Sequence, residues 1–285
     1  MNQALERLLQ ENKTAFYVFD IGKLKARIAH LQAALPPEVV LCYAVKANTF
    51  ITKELIDTIH RFEVCSPGEA EICRAVGVPS ENMVISGVYK TPEVMEAMVA
   101  DLDFSPIYTV ESLEQYELFR RLAQQYDRTL PLLLRLTNGS QFGINKGDIE
   151  AIVAQREETP EVDLLGIQFF SGTQKTSLKK LKREVGKLDD LLTLLEEKYG
   201  FFAQELEYGP GFPVNYFQSD ELDEAELLAG FSELLHDMTH HPKITLELGR
   251  SIAASCGTYY THIVDLKRNQ EQNYALVDGG MHHLV

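Results

Sequence analysis

Short apolar runs alternate along the chain with longer amphipathic stretches. Runs rich in β-branched or aromatic residues cover 39–47, 62–66, 83–87, 104–110, 131–137, 163–170, 204–209 and 243–249. Between them, helical patterns cover Thr49 to Arg61, Pro67 to Val76, Thr91 to Ala100, Glu111 to Tyr126, Asp148 to Glu157, Ser177 to Tyr199 and Asp220 to Met238. Strands that alternate with helices are typical of parallel βα units, and eight such units predict an α/β fold, a closed (β/α)8 TIM-type barrel.

The barrel has one competitor, an open doubly wound sheet, which usually carries a G-x-G-x-x-G fingerprint after an early strand. No such fingerprint follows the early runs here, which favours the barrel. After residue 250 the pattern changes to two extended runs around a polar turn at Arg268 to Asn273, which predicts a hairpin. We therefore expect a barrel over residues 1–250 and the beginning of an incomplete C-terminal β-domain over 251–285.

Composition narrows the choice of partners. The chain of 285 residues has 27 Lys and Arg against 42 Asp and Glu, a formal net charge of −15, which repels nucleic acid and anionic membrane surfaces. No apolar run reaches the ~20 residues of a membrane-spanning helix, and the N-terminus lacks the apolar core of a signal peptide, so we expect a cytoplasmic protein. The cysteines lack C-x-x-C spacing, which favours reduced core residues over disulfides or a zinc site.

Chemistry in such a barrel is expected at the carboxyl ends of the strands. Lys46 ends the first run, where partial burial is expected to lower its pKa and favour a nucleophilic amine. From position alone, a lysine that extends its amine into solvent explains the pattern equally well. Gly209 and Gly211 follow the seventh run, where barrels often bind phosphate, although Gly-Pro-Gly is also a common turn.

The eighth run ends in Glu247, followed by Gly249 and Arg250. Arg250 is a candidate donor to a phosphate or carboxylate, and Glu247 is a candidate partner for a protonated ring nitrogen; an ordinary ion pair is the alternative. With Lys46, these residues make up an amine nucleophile, a phosphate cradle and an acidic ring partner, the minimum set for holding pyridoxal 5'-phosphate (PLP). His240 and His241 precede this run, at the opposite end of the barrel, and no metal site is expected there.

Seven segments give the chain a specific resemblance. They are YAVKAN (43–48), FEVCSPGE (62–69), LLRLTNGSQFGI (133–144), GIQFFSGTQ (166–174), YGPGF (208–212), ELGR (247–250) and VDGGM (277–281). In this order and at about this spacing they resemble the fold-type III PLP-dependent decarboxylases, which include the diaminopimelate, ornithine and arginine decarboxylases. The resemblance implies an alanine racemase-like barrel and decarboxylation of an amino acid or of a conjugated or carrier-bound aminoacyl group.

The resemblance also implies roles for individual residues. Lys46 would form a Schiff base with PLP, and Glu247 would keep the pyridine nitrogen protonated, so that the ring accepts the electrons left when CO2 departs. The remaining residues would line the cofactor pocket or hold the phosphate: Glu63, Ser66, Glu69, Arg135, Phe170, Thr173, Gly209, Gly211, Gly249 and Arg250.

The chain departs from the family pattern in three places. Phe170 stands where the decarboxylases usually place a histidine against the cofactor, so it can stack but cannot donate a hydrogen bond. Glu63 matches an acidic position only loosely, and Gly-Pro-Gly replaces three glycines. The family continues beyond VDGG into a β-domain that supplies a cysteine across a homodimer interface and a tyrosine near the phosphate. We therefore expect a homodimer where that domain is present, and feeble decarboxylation by residues 1–285 alone.

Two alternatives remain open from the sequence. An amino-acid racemase shares the barrel and the lysine but favours an arginine at the pyridine nitrogen, so Glu247 argues against it. A non-catalytic PLP-binding or homeostasis protein would be a lone barrel, and both Glu247 and the VDGG segment argue against that function.

Overall fold

The computed structural model describes residues 3–12, 14–217 and 222–283. These residues fall into two compact units, one formed by residues 25–254 and the other by parts of residues 1–24 and 255–285. The larger unit carries every residue for which the sequence predicts chemistry.

Strands and helices alternate along the described chain. The strands are β1 (Phe16–Phe19), β2 (Val40–Ala44), β3 (Arg61–Val64), β4 (Met83–Ile85), β5 (Ile107–Val110), β6 (Leu130–Arg135), β7 (Val162–Phe170), β8 (Glu205–Gly209), β9 (Lys243–Leu248), β10 (Gly257–Tyr260), β11 (Ile263–Asn269) and β12 (Gln272–Val277). The α-helices are α1 (Gln3–Glu11), α2 (Ile21–Ala34), α3 (Pro67–Val76), α4 (Pro92–Ala100), α5 (Leu113–Gln125), α6 (Lys146–Ala154), α7 (Leu178–Tyr199), α8 (Glu224–His236) and α9 (Arg250–Ala253).

Strands β2 to β9 form a closed barrel in sequence order, and all neighbouring strands pair in parallel. Pairing of Val40 with Thr245 and of Leu41 with Leu246 joins the first barrel strand to the last. The predicted (β/α)8 barrel is confirmed. Parallel pairing brings the carboxyl ends of all eight strands to one mouth.

The segment after β2 differs from its prediction. The sequence predicts a helix from Thr49 to Arg61, whereas the structure has a 3₁₀ segment at Thr49–Leu55, and Arg61 begins β3. The side chain of Asn48 starts this segment by accepting a hydrogen bond from the backbone N–H of Phe50. Thr49, Ile51 and Thr52 are β-branched, which lowers the α-helix propensity here.

Later helices follow their predicted limits more closely. The hydroxyl of Thr91 accepts a hydrogen bond from the backbone N–H of Val94 at 3.3 Å, and Pro92 begins α4, as the sequence predicts. The helix predicted from Asp220 to Met238 is α8, which begins at Glu224 after its cap Asp223. The first predicted residues of that helix, 220 and 221, lie outside the described residues.

Charged side chains gather in one part of the barrel. Glu205 of β8 is buried and accepts hydrogen bonds from Thr245 at 2.6 Å, Lys243 at 3.2 Å and Arg61 at 3.3 Å. By contrast, β4 to β6 contribute an apolar cluster, formed by Val84, Ile107 and Leu133. Barrel interiors are usually filled with branched apolar side chains. The polar groups of β3, β8 and β9 therefore set that part of the barrel apart.

The smaller unit contains two antiparallel strand pairs. Strand β1 pairs with β10, with Phe16 opposite Tyr260 and their rings stacked at a centroid distance of 5.5 Å. Strands β11 and β12 form the hairpin that the sequence predicts, and Gln270, at the turn, has a φ of 56°. None of the helices in the described residues combines the length and hydrophobicity needed to span a bilayer.

Candidate active site

Lys46 lies at the mouth of the barrel, in the 3₁₀ turn Val45–Ala47 that follows β2. Its Nζ donates hydrogen bonds to both carboxylate oxygens of Glu63, at 2.7 and 2.9 Å, and to Sγ of Cys65 at 3.3 Å. The side chain is 46% exposed. The amine is therefore reachable from solvent while side chains from β3 and the residue after it hold it in place.

The pKa of Lys46 differs from its prediction. Burial, the largest single effect, lowers it, as expected, but the combined effects of Glu63, Cys65 and Glu247 outweigh burial and raise the pKa of Lys46 above its ordinary value. Burial opposes the charge of Glu63 in turn, yet the ammonium of Lys46 lowers the pKa of that carboxyl. The expected lowering for Lys46 is wrong because its partner could not be seen from position alone: Glu63 is the register partner of Ala44, two residues before the lysine.

Glu63 is also held from its other side. It is almost fully buried, and its Oε1 accepts hydrogen bonds from the hydroxyl of Ser86 at 2.5 Å and from the thiol of Cys65 at 3.1 Å. Burial, together with the negative charge of Glu63, raises the pKa of Cys65 to about 12, so this cysteine is a neutral thiol at physiological pH. Glu63, which matches an acidic position of the family only loosely, is thus an ionised carboxylate in contact with Lys46.

Glu247 lies near the end of β9 and is buried. Its Oε1 accepts a hydrogen bond from Nε2 of Gln168 in β7 at 2.5 Å. Burial and the charge of Glu63 raise the pKa of Glu247, whereas the charge of Lys46 lowers it. The lysine and this carboxylate therefore act on each other across the mouth of the barrel.

Three glycines at this mouth leave no room for a side chain. A Cβ on Gly209 would lie 2.5 Å from the ring of Phe170 and 3.3 Å from Oε2 of Glu247. A Cβ on Gly211, where φ is +65°, would lie 2.0 Å from the carbonyl oxygen of Gly172, and one on Gly249 would lie 3.0 Å from Cβ of Ala47. The backbone contact at Gly211 requires glycine, and the side-chain contacts at Gly209 and Gly249 disfavour a larger residue. The three glycines leave bare backbone near Glu247 and the loop after β7.

Phe170, Thr173 and Arg250 also lie at the mouth. Phe170 is the last residue of β7, and Nζ of Lys46 lies 5.7 Å from the centroid of its ring. Thr173 follows in the next loop, where its Cα would be 3.1 Å from a Cβ on Gly211. Arg250 begins α9, and its guanidinium donates to the hydroxyl of Tyr216 and lies 5.6 Å from the centroid of that ring. Lys46, Phe170 and the glycine loops are thus brought together.

Ser66, Glu69 and Arg135 have identifiable structural partners. The hydroxyl of Ser66 caps α3 by accepting a hydrogen bond from the backbone N–H of Glu69 at 3.3 Å. The side chain of Glu69 accepts from the backbone N–H of Cys65 at 2.8 Å, which fixes the turn after Glu63. Arg135, at the end of β6, is buried and donates to Glu111 at 2.9 Å. Their predicted places at the cofactor remain predictions.

Sequence reasoning missed Gln168, Glu207 and Lys90. The alternation of Glu205 and Glu207 in β8 was a usable signal, because residues two apart in a strand share a face. Lys90 gave no signal, since it lies in a polar loop, yet it is buried and donates to the carbonyl of Gly87. Burial lowers the pKa of Lys90 to about 8, against the attraction of Glu111.

The residues at the mouth fit PLP. Lys46 offers an amine for an aldehyde, Glu247 offers a buried carboxylate for a ring nitrogen, and the crowded glycines offer free backbone of the kind that approaches phosphate. Phe170 provides an aromatic face beside the lysine. This set agrees with the chemistry that the cofactor needs from a protein.

Comparison with known proteins points in the same direction. The profile of the family described as pyridoxal-dependent decarboxylase, pyridoxal binding domain, matches residues 21–254. The L-glutamyl-[BtrI acyl-carrier protein] decarboxylase of Niallia circulans is 26% identical over 97% of this chain and 69% of its own length. The diaminopimelate decarboxylase of Aquifex aeolicus is 26% identical over 99% of this chain and 70% of its own length.

Solved structures share the fold. A protein from Aquifex aeolicus is 27% identical, with a TM-score of 0.86 over 97% of this chain and 68% of that one. The diaminopimelate decarboxylase of Helicobacter pylori, at 22% identity, has a TM-score of 0.86 over 97% of this chain and 73% of that one. Because the family profile spans Lys46, Glu247 and the glycine loops, this chain belongs to the pyridoxal-dependent decarboxylases, and its barrel is their pyridoxal-binding domain.

Proposed function

We propose that this chain binds PLP covalently through Lys46 and uses it to remove the α-carboxylate of an amino acid as CO2. The observation that carries the proposal is the joint presence of Lys46 and Glu247 at one mouth of the barrel, each acting on the charge of the other. When bound, the cofactor supplies an electron sink for the pair of electrons that remains after the carboxylate leaves.

Different residues of the chain would hold the cofactor and control the protonation of its ring. The amine of Lys46 binds the aldehyde carbon and thereby fixes the cofactor at the mouth. Glu247 holds a proton at the ring nitrogen, where a carboxylate favours the charged form. The backbone around Gly211 and Gly249 and the guanidinium of Arg250 bind the phosphate. Phe170 covers a ring face and excludes water from it without accepting or donating a proton.

We propose a conjugated or carrier-bound aminoacyl group as the substrate class. The relative from Niallia circulans decarboxylates a glutamyl group on an acyl-carrier protein. Another relative, from Staphylococcus aureus, is a 2-[(L-alanin-3-ylcarbamoyl)methyl]-2-hydroxybutanedioate decarboxylase, 26% identical over 95% of this chain and 72% of its own length. The FSGTQ segment at 170–174 resembles the branch of the family that acts on siderophore precursors or carrier-bound aminoacyl groups more than the lysine-pathway enzymes, which supports this class over free diaminopimelate.

Glu247 distinguishes the proposal from its alternatives. A racemase needs a ring that is a weaker electron sink, which an arginine at the nitrogen provides and a carboxylate does not. A protein that only stores PLP has no need for a buried carboxylate there, because burying a charge is costly unless it performs a task.

The test is CO2 release by the PLP-loaded protein from diaminopimelate, ornithine, arginine, a citrate-conjugated diamino acid and a carrier-bound glutamyl group. We expect release from a conjugated or carrier-bound substrate, and at least about tenfold slower release by Glu247→Gln, because loss of one pKa unit at the ring is about 1.4 kcal/mol. Glu157→Gln is the control, since Glu157 is an exposed glutamate outside the mouth.

Other outcomes would contradict parts of the proposal. Racemisation of an amino acid without CO2 release would indicate the racemase. PLP binding without turnover of any substrate, also in a protein that includes a β-domain, would favour the storage protein. Release at the same rate by wild type and Glu247→Gln would remove Glu247 from the chemistry.

A further inference from the structure

Glu207, at the centre of β8, is a buried acid whose partner is not obvious. Its side chain is completely inaccessible, and neither carboxyl oxygen accepts a hydrogen bond from an amide, hydroxyl, ammonium or guanidinium group of the described residues. An ionised carboxylate in that position would be a buried charge with no donor, which strongly disfavours the ionised form. Another arrangement must therefore compensate for the missing hydrogen-bond donors of Glu207.

The surroundings of Glu207 are mainly acidic. Glu205 on the same strand and Glu247 on β9 both disfavour its charge, and Arg61 on β3 is the cation that favours it. Arg61, however, donates to Glu205, as does the hydroxyl of Thr245, the register partner of Glu207. On β2, Cys42 is a buried thiol whose pKa Glu207 and Glu247 raise further, after burial itself. Arg61 thus gives its one described hydrogen bond in this region to Glu205, and its second guanidinium nitrogen, although buried and unpartnered, makes no hydrogen bond to Glu207.

A proton on Glu207 resolves this conflict. Gln168, which donates to Glu247, is the register partner of Glu207, so the two acids are neighbours in the barrel. The charge of Glu247 disfavours ionisation of Glu207, because two neighbouring buried carboxylates are rarely both ionised. Oε1 of Gln168 is a second acceptor nearby in β7, but a carboxylate accepts a hydrogen bond more strongly than an amide. A protonated Glu207 therefore donates the hydrogen bond of its O–H to the carboxylate of Glu247.

The proton belongs on Glu207 rather than on Glu247. Glu247 already accepts from Nε2 of Gln168 and is attracted by the ammonium of Lys46, and both interactions favour its charged form. Glu207 has no comparable donor, and it lies beside Glu205 as well as Glu247. Burial and the two neighbouring carboxylates raise the pKa of Glu207 well above its ordinary value.

We propose that Glu207 is a neutral carboxylic acid whose O–H donates to the carboxylate of Glu247, which makes it a positioning residue that keeps Glu247 ionised and fixed. The proton stays on Glu207 throughout, so no net transfer is involved. Gln168 and Glu207 then hold Glu247 with two neutral donors from the two strands before it. The consequence for the cofactor rests on the proposed function of Glu247, whereas the protonation state of Glu207 does not.

The first experiment uses the protein without cofactor. Infrared spectra of protein labelled with carboxyl-¹³C glutamate report the C=O stretch of protonated glutamic acids, which separates them from aspartic acids. At neutral pH we expect a protonated-glutamate band in wild type that is absent in Glu207→Gln and shifted but retained in Glu247→Gln, where the acceptor changes. Glu205→Gln is the matched control, because Glu205 lies on the same strand and is fully paired.

Three results would overturn the inference about protonation. They are no protonated-glutamate band in wild type at neutral pH, the same band in Glu207→Gln, and loss of the band only in Glu247→Gln. The last result would mean that Glu247 carries the proton. None of these readouts depends on whether PLP binds.

The second experiment tests the positioning role with PLP itself. Glu207→Gln keeps an N–H donor to Glu247, so its PLP affinity should stay within about twofold of wild type, whereas Glu207→Leu should weaken it about tenfold. The pH at which the absorption band of bound PLP changes should fall in Glu207→Leu and be restored in Glu207→Gln. Thermal unfolding of both variants shows whether they fold.

Equal weakening by Gln and Leu, or no effect of Leu in a folded variant, would overturn the positioning role. If Glu207→Leu does not fold, Glu207→Gln and the infrared result still decide the proposal. Failure of the proposed function is seen separately, as absence of a pyridoxyl group on Lys46 of the wild-type protein.

Discussion

At the scale of single residues, the site depends on charges that modify one another over short distances. Lys46 would be a weaker base if burial alone acted on it, but Glu63, 2.7 Å from its amine, acts with Cys65 and Glu247 to reverse the direction of the pKa shift. Glu63 can remain ionised there because Ser86 and Cys65 donate to it. The mouth of the barrel is therefore a balance of burial and paired charge.

Glu63→Gln is expected to make Lys46 more reactive in the protein without cofactor. Removing the carboxylate removes the interaction that raises the pKa of the lysine, so a larger fraction of the amine is uncharged near neutral pH. The pH dependence of the rate at which Lys46 reacts with a small aldehyde, trapped by borohydride, should move to lower pH. Glu157→Gln should leave it in place, and an unaltered profile in Glu63→Gln would show that Glu63 does not control the amine.

Lys90 is expected to make the free energy of unfolding depend on pH in the alkaline range. Burial lowers its pKa to about 8 in the folded chain, below the 10.5 of an ordinary lysine, so the unfolded chain binds the extra proton between these values. Stability should therefore rise with pH from about 8 to about 10, by roughly 2 kcal/mol if Lys90 acted alone. Denaturant unfolding across this range should show the rise in wild type and in a Lys53→Met control, and a flatter curve in Lys90→Met. Equal slopes in all three proteins would contradict the assignment.

The sequence predicts the site only where chemistry coincides with a strand end. Lys46 and Glu247 close apolar runs, so their residue types stand out against the pattern. Glu63 is harder to interpret, because its partner is set by the pairing of β2 with β3, and Lys90 is not visible, because a polar loop gives no sign that its lysine is buried. Burial of a charge depends on long-range packing, which a local pattern does not contain.

At the scale of elements, the loops after β7 and β8 are fitted tightly to each other. The backbone N–H of Lys175 donates to the carbonyl of Gly211 at 3.0 Å, and the side chain of Gln174 exchanges hydrogen bonds with the backbone of Val214. The carbonyl of Gly172 fills the space that a Cβ on Gly211 would need. A single small residue thus sets the path of two loops at the proposed phosphate site.

Gly211→Ala is expected to weaken both PLP binding and folding, because the loop that carries Gly211 must move. The added Cβ would lie 2.0 Å from a backbone oxygen at a φ of +65°, so the loop must move away from its position. We expect PLP affinity to fall at least about tenfold, and the free energy of unfolding to fall by at least the ~1–3 kcal/mol typical of such backbone strain.

Gly147→Ala is the matched control for this element. Gly147 lies in α6, nothing lies within 4 Å of an added Cβ, and alanine favours a helix by about 0.5–1 kcal/mol. Its PLP affinity, measured by fluorescence titration, should equal that of wild type. Normal PLP affinity in Gly211→Ala would show that this turn does not shape the cofactor site.

At the scale of the whole molecule, local periodicity was sufficient for the barrel but not for the smaller unit. Each barrel strand pairs with the next one along the chain, so alternating patterns translate directly into the architecture. Strand β1 has only four residues and pairs with β10, so that Phe16 lies opposite Tyr260 at the far end of the sequence. No local signal connects such distant segments, which is why the sequence did not predict this pair.

The central claim is that Lys46 is the residue that binds PLP, and it is tested most directly by borohydride reduction of the PLP-loaded protein followed by peptide mass analysis. Lys90 makes the test stringent, because its lowered pKa leaves a larger fraction of its amine uncharged, and so able to react, near neutral pH. The proposed geometry predicts a single pyridoxyl group on the peptide that contains Lys46, and none in Lys46→Ala. A pyridoxyl group on Lys90 or any other lysine, with Lys46 unmodified, would contradict it.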